Sequence, residues 1–150
     1  MKIEVTQEIA APPERVWALV SDVTRMGEWS PETIRAVWLD GASAAVAGAR
    51  FKGTNKLKVA RWSTTCTVTE AEPGRSFAFR VGKGPTTWGY HLVATATGCE
   101  VTETAEIPDD IGLAEKVLFR LGGVQDRTAD LRAAMGRTLE RIKAAAEAAP

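Results

Sequence analysis

Glu103 lies in a run where every second residue from Cys99 to Ile107 is otherwise apolar, with Val101 before it and Ala105 after it. A carboxyl group on the apolar side of a strand loses its water. Desolvation then raises its pKa toward neutrality, where it can act as a general acid or base. The plain alternative is a structural pairing with an Arg or Tyr in the interior, and the residue types leave both readings open. Tyr90 shares a parity with Trp88 and Leu92 and can donate its phenolic proton to a carbonyl oxygen, with Thr64 in support. Asn55, on the parity of Phe51 and Gly53, offers a donor and an acceptor for a ligand oxygen. Glu32 shares the parity of Ile34 and Trp38, although it starts its strand beside Pro31, where side chains are often solvated.

Around these polar candidates the rings of Trp38, Trp62, Phe77, Phe79, Trp88 and Tyr90 fall on one parity. Each ring carries roughly 150–250 Å² of mostly apolar surface, more in sum than a sheet covered by one helix needs for its core. The expectation is a partly hollow apolar cavity with these side chains as ligand contacts. Trp29 falls in an irregular stretch between Gly27 and Pro31, where it either closes the mouth of the cavity or packs on the sheet edge. Leu121 ends a segment, Ile111–Leu121, that the following Gly122-Gly123 pair would let move as a lid together with Trp29.

Other chemistries are disfavoured by pattern. His91, the single histidine, has the parity opposite to Trp88 and Tyr90 and should face away from the interior. Two Cys and one His cannot complete a four-ligand zinc site, so no metal and no cofactor is expected. Gly82-Lys83-Gly84-Pro85 lacks phosphate-loop spacing and leads into a strand. Lys plus Arg and Asp plus Glu both number 19, so no long-range field draws nucleic acid. Glu4, Glu8 and Glu14 interrupt any secretory apolar core and no run of 18 apolar residues occurs, which leads to the expectation of a cytoplasmic protein without an integral membrane segment.

The elements that must position these residues follow from periodicity. Lys2–Ala10 alternates with period two and reads as a strand; Pro12 and Pro13 open a two-turn helix to about Val20, and Ser21 and Asp22 cap a short turn to about Met26. Six more strands follow: Glu32–Trp38, about Arg50–Lys56, about Ala60–Ala71, one through Phe77, Phe79 and Val81, one from Trp88 to Ala94, and one from Cys99 to Ile107. Turns at Pro73-Gly74, Gly82–Pro85 and Gly98 make them consecutive antiparallel hairpins. After Pro108 the period becomes 3.6, with Val117, Leu121, Thr128, Leu131, Met135, Leu139 and Ile142 on one stripe. A break at Gly122-Gly123 would start the final helix near Gln125. The fold class is α+β: a seven-stranded curved antiparallel sheet around a long C-terminal helix, with two short helices between strands 1 and 2, as one domain over 1–150.

This order of elements resembles the polyketide cyclase/dehydrase branch of the helix-grip superfamily, which also includes START and Bet v 1-like proteins (SRPBCC). The resemblance is carried by Ile9-Ala10-Ala11-Pro12-Pro13-Glu14-Arg15-Val16-Trp17, Gly27-Glu28-Trp29-Ser30-Pro31-Glu32, Phe51-Lys52-Gly53-Thr54-Asn55, and the hairpin from Thr87-Trp88-Gly89-Tyr90 to Val101-Thr102-Glu103. It implies a helix-grip fold, and it places Cys66 and Cys99 on separated strands, so no disulfide is expected. It also implies one of two activities. The first is binding of a small hydrophobic or amphipathic molecule, such as a lipid, polyketide or isoprenoid-like compound, between sheet and helix. The alternative is a polyketide cyclase/dehydratase in which Glu103 is the acid/base and Tyr90 polarises a carbonyl. A third class, an interaction module such as a homodimer, needs neither cavity nor chemistry.

Overall fold

Apolar alternation along the chain becomes seven strands: β1 (Lys2–Ile9), β2 (Thr33–Trp38), β3 (Arg50–Leu57), β4 (Ala60–Glu72), β5 (Ser76–Val81), β6 (Thr87–Thr95) and β7 (Gly98–Glu106). Between β1 and β2 come α1 (Pro13–Val20), a 3-10 turn (Val23–Arg25) and α2 (Met26–Trp29), and the chain closes with α3 (Arg127–Ala148). The computed structural model describes residues 1–108 and 127–148. The expected break at Gly122-Gly123, the helix start near Gln125, the segment Ile111–Leu121 and the candidate contact Leu121 lie outside the described residues.

The strands form one antiparallel sheet in the order β1-β7-β6-β5-β4-β3-β2. Consecutive hairpins run from β2 to β7, and β1 adds to the free side of β7, with Val5 opposite Glu103. The curved sheet wraps one long helix, which is the helix-grip arrangement. Gly98, at the turn into β7, allows the close packing there: a Cβ at this position would lie 2.1 Å from the Ile9 carbonyl oxygen.

Local chemistry sets the entry elements. The Pro12 carbonyl accepts from the amides of Arg15 and Val16 at 3.1 and 3.2 Å, and α1 buries Val16 and Val20. The Trp17 indole N–H donates to the Ser76 carbonyl at 2.7 Å, tying α1 to β5. Asp22 Oδ1 accepts from the Thr24 amide at 3.1 Å and its hydroxyl at 2.6 Å, which caps the 3-10 turn. The helical stretch expected to stop near Met26 continues to Trp29. Gly27 makes this possible, since a Cβ there would fall 2.5 Å from the Ile34 carbonyl oxygen. Trp29 therefore ends a helix held against β2 rather than lying in an irregular stretch.

A second departure is in β2. Register shifts between Thr33 and Arg35, so Ile34 is an extra residue without a partner on β3, and it is 45% exposed. Strict alternation grouped Ile34 with the enclosed face. The bulge instead turns Thr33 inward before it and leaves Ala36 buried after it.

Along α3, Leu131, Met135, Leu139, Ile142 and Ala146 are buried at helical spacing. The two halves of this stripe meet different neighbours. Leu139, Ile142 and Ala146 join the main core with Val16, Phe77 and Cys99, whereas Leu131 and Met135 pack with Ile3 and Ala105. Arg141 Nη1 donates to the Trp29 carbonyl at 3.3 Å and so couples α3 to α2. Among the described residues no helix is long and apolar enough to cross a membrane.

Candidate functional site

A cavity of about 580 Å³ opens between the sheet and the N-terminal half of α3. Its helix wall is Thr128, Leu131, Ala134, Met135 and Thr138, and its sheet wall comes from the inward parity of β3, β4, β5, β6 and β7. Apolar surface dominates through Trp29, Phe51, Trp62, Phe79 and Trp88. Trp29 is 3% exposed, with the Arg25 guanidinium 5.3 Å from its ring centroid.

Two polar clusters face this space. On β6 and β7, Tyr90 and Glu103 are directly cross-strand. The Tyr90 hydroxyl donates to Glu103 Oε1 at 3.5 Å, a long and weak bond, and Glu103 Oε2 is buried with no hydrogen-bond partner among the described residues. Burial pushes the Glu103 carboxyl up to about 8, with the Tyr90 hydroxyl opposing the rise. The Tyr90 phenol is in turn held well above its ordinary value, first by burial and then by the neighbouring carboxylate charge. At neutral pH this pair is therefore predominantly a neutral acid beside a neutral phenol.

The second cluster spans β2, β3 and β4. Thr33 Oγ1 donates to Asn55 Oδ1 at 2.7 Å, and Asn55 Nδ2 donates to Thr64 Oγ1 at 3.5 Å. Asn55 is buried because Thr33 and Trp62 stand opposite it on the neighbouring strands. The chain of bonds runs from Thr33 toward Thr64. It leaves the Thr64 hydroxyl hydrogen available to a guest oxygen.

Of the residues singled out in the sequence, Glu103, Tyr90, Trp29, Glu32, Asn55, Trp62, Thr64, Phe79 and Trp88 line this cavity. Trp38 and Phe77 do not. Trp38, half-buried, packs edge-on against Phe51 at 5.8 Å on the flank of the main core, and Phe77 lies inside that core, 5.9 Å from Phe79 and with no exposure. They have the inward parity but stand where the sheet is filled by other side chains. Sequence reasoning passed over Thr33 as an inward group, because the bulge at Ile34 reverses its parity, and Phe51, although it shares a face with Asn55. Cys66 also lines the cavity, but burial pushes its thiol up to about 11, so it is a thiol rather than a nucleophilic thiolate. Cys66 and Cys99 are both free, and His91 is exposed on the outer face. Among the described residues no group of three His, Cys, Asp or Glu could hold a metal ion.

Comparison with known proteins places this arrangement. The family described as polyketide cyclase / dehydrase and lipid transport matches residues 1–147. No curated protein matches. Among solved structures, the Polyketide_cyc-like protein Cgl2372 from Corynebacterium glutamicum is 32% identical, with 97% of this chain and 85% of that one covered at a TM-score of 0.54. Protein MLL2253 from Mesorhizobium loti shares the fold at 14% identity, with 100% and 99% covered and a TM-score of 0.68. An AHSA1-like protein from Aeromonas hydrophila does so at 20% identity, with 97% and 94% covered and a TM-score of 0.62. By sequence match over nearly its whole length, and with the fold to go with it, the chain belongs to the polyketide cyclase/dehydrase and lipid transport family.

Proposed function

We propose that this protein binds a small hydrophobic or amphipathic molecule in the space between sheet and helix. The observation that carries the reading is the hollow itself. Protein interiors hold few voids larger than a water molecule, and about 580 Å³ is the size of a small-molecule site. Its aromatic walls favour an apolar body, while two separated polar clusters suit an oxygen- or nitrogen-bearing end. The equal count of 19 basic and 19 acidic residues supports a small-molecule partner over nucleic acid.

The test uses the neutral fluorophore N-phenyl-1-naphthylamine. Saturable binding with one site per chain is expected, with energy transfer from Trp62 and Trp88, and Ala134→Phe should weaken it at least tenfold by filling the cavity from α3. Absence of saturable binding, or affinity indifferent to Ala134→Phe, overturns the reading.

The Glu103–Tyr90 contact favours a second reading, in which Glu103 donates and accepts the proton of an aldol closure and dehydration while Tyr90 polarises the carbonyl. Under it, Glu103→Gln abolishes turnover of a poly-β-keto substrate and leaves fluorophore binding intact; unchanged turnover removes Glu103 from such chemistry.

A further inference from the structure

Glu103 combines features that no structural role explains. It is 5% exposed and its side chain faces the cavity; among the described residues one oxygen has only a long contact with Tyr90 and the other has no partner. A buried polar atom without a partner is unfavourable, so a guest that bonds it removes that penalty. What the guest should bring is set by the surroundings. Tyr90 lies directly across from Glu103, and Trp88 is the diagonal neighbour on the same face, within reach of an aromatic side chain. Trp62 adds a third ring to the wall. Lys, Arg and His are absent from the described cavity-lining side chains; the acidic side chains there are Glu103 and Glu32, and the Met1 ammonium stands at the border.

We propose that the cavity selects a molecule with a basic nitrogen, an aryl-alkyl or alkyl ammonium whose N–H groups bond Glu103 and whose hydrocarbon lies against Tyr90, Trp88 and Trp62. Ring faces attract cations, and a desolvated carboxylate attracts them more strongly still. An anionic guest meets two carboxyls, and a neutral alcohol gains one hydrogen bond without the ion pair. The inference rests on the cavity-binding reading above and adds the guest's chemical class.

Proton balance makes the proposal specific. The free acid loses its proton to buffer as the ammonium binds, so Glu103-COOH and R-NH₃⁺ become a Glu103-COO⁻···⁺H₃N-R pair plus one released H⁺. Among the described residues the groups facing Glu103 are few. From β1 they are Ile3, Val5 and Gln7, from β6 Trp88, Tyr90 and Leu92, and from α3 the five cavity residues named earlier; Tyr90 is the one titratable group among them. The Met1 ammonium also borders the cavity and donates to the Ile107 carbonyl at 2.9 Å, about 13 Å along the strand from Glu103. With the Glu103 carboxyl near 8, affinity for a cationic amine should rise about 50-fold between pH 6 and pH 8.

The experiment compares three isosteric probes, 4-phenylbutylamine, 4-phenylbutan-1-ol and 4-phenylbutanoate, by calorimetry in buffers of different ionisation enthalpy. The expected result is that the amine binds at least tenfold tighter than the alcohol at pH 7.5, the carboxylate binds weakest, and amine binding at that pH releases about three quarters of a proton. Glu103→Gln should erase the preference of amine over alcohol. Equal binding of amine and alcohol without proton release, or a preference for the carboxylate, overturns the amine assignment and leaves the cavity reading standing. If none of the three binds and the fluorophore also fails, both fall together.

Discussion

Glu103 makes the stability of this protein depend on pH in a direction opposite to that of an ordinary salt-bridged acid. Its carboxyl rises from an ordinary 4.5 to about 8 because burial disfavours the charged form. The folded state thus holds the proton more tightly than the unfolded chain does, and the linkage contribution is fully present below pH 4.5. Stability then falls as pH rises, until the carboxyl ionises in the folded state near pH 8, and is level above that. The window spans about three and a half pH units, which at 1.36 kcal/mol each is roughly 5 kcal/mol, a large share of the 5–15 kcal/mol typical of a domain. Other groups also titrate: Glu28 and Glu147, held low by Arg25 and Lys143, are exposed and act in the opposite sense at lower pH. Comparing the wild type with Glu103→Gln cancels them. Urea unfolding followed by tryptophan fluorescence at half-unit steps from pH 4.5 to 9 should show the variant gaining on the wild type with each step, with most of the gain reached by pH 8 and equal m-values throughout. Parallel curves would mean that Glu103 is solvated. A variant that loses ground to the wild type as pH rises would mean that a cation already holds the carboxylate, and either result refutes the reasoning.

Two further outcomes test the placement of core and cavity. Phe77→Ala, at a site with no exposure, should cost about 3–5 kcal/mol, whereas Trp62→Ala on the cavity wall should cost under roughly 2 kcal/mol and instead weaken fluorophore binding; equal losses in denaturant unfolding would contradict the division. Gly27→Ala would stabilise an ordinary helix by up to about 1 kcal/mol, but here the added Cβ meets the Ile34 carbonyl, so a loss of roughly 1–3 kcal/mol in the same assay is expected, and a gain would refute the contact.

Most of the architecture was legible because period-two alternation and turn residues are strong local signals. Parity along β6 and β7 put Tyr90 and Glu103 on the enclosed face, and register then brought them opposite each other. Where reading failed, the cause was information that alternation does not carry. A bulge is one residue wide and leaves no compositional mark, so Thr33 and Ile34 were assigned to each other's faces. Parity also tells which face a ring occupies without telling how far the facing helix stands from it. Trp38 and Phe77 share the face of Trp62 and Trp88, yet Phe77 fills the core and Trp38 packs on its flank away from the cavity, while Trp62 and Trp88 border open space. The four-residue α2 is too short for a periodic signature, and its extent depends on the tight approach of Gly27 to β2.

The position of the acid within this plan argues for function over stability. Leu139, Ile142 and Ala146 fix one half of α3 in the main core, and Leu131 and Met135 hold the other half against Ile3 and Ala105, so the helix is seated on the sheet with the cavity beside it. At position 103 the neighbours are Val5, Tyr90 and the apolar stripe of α3, surroundings in which a Leu or Met would leave no polar orphan and carry no pH penalty. A carboxyl there works against the folded state at every pH above about 4.5. A carboxyl whose burial is unfavourable, facing a ligand-sized hollow with an oxygen that no described residue bonds, has its compensation in what enters that hollow.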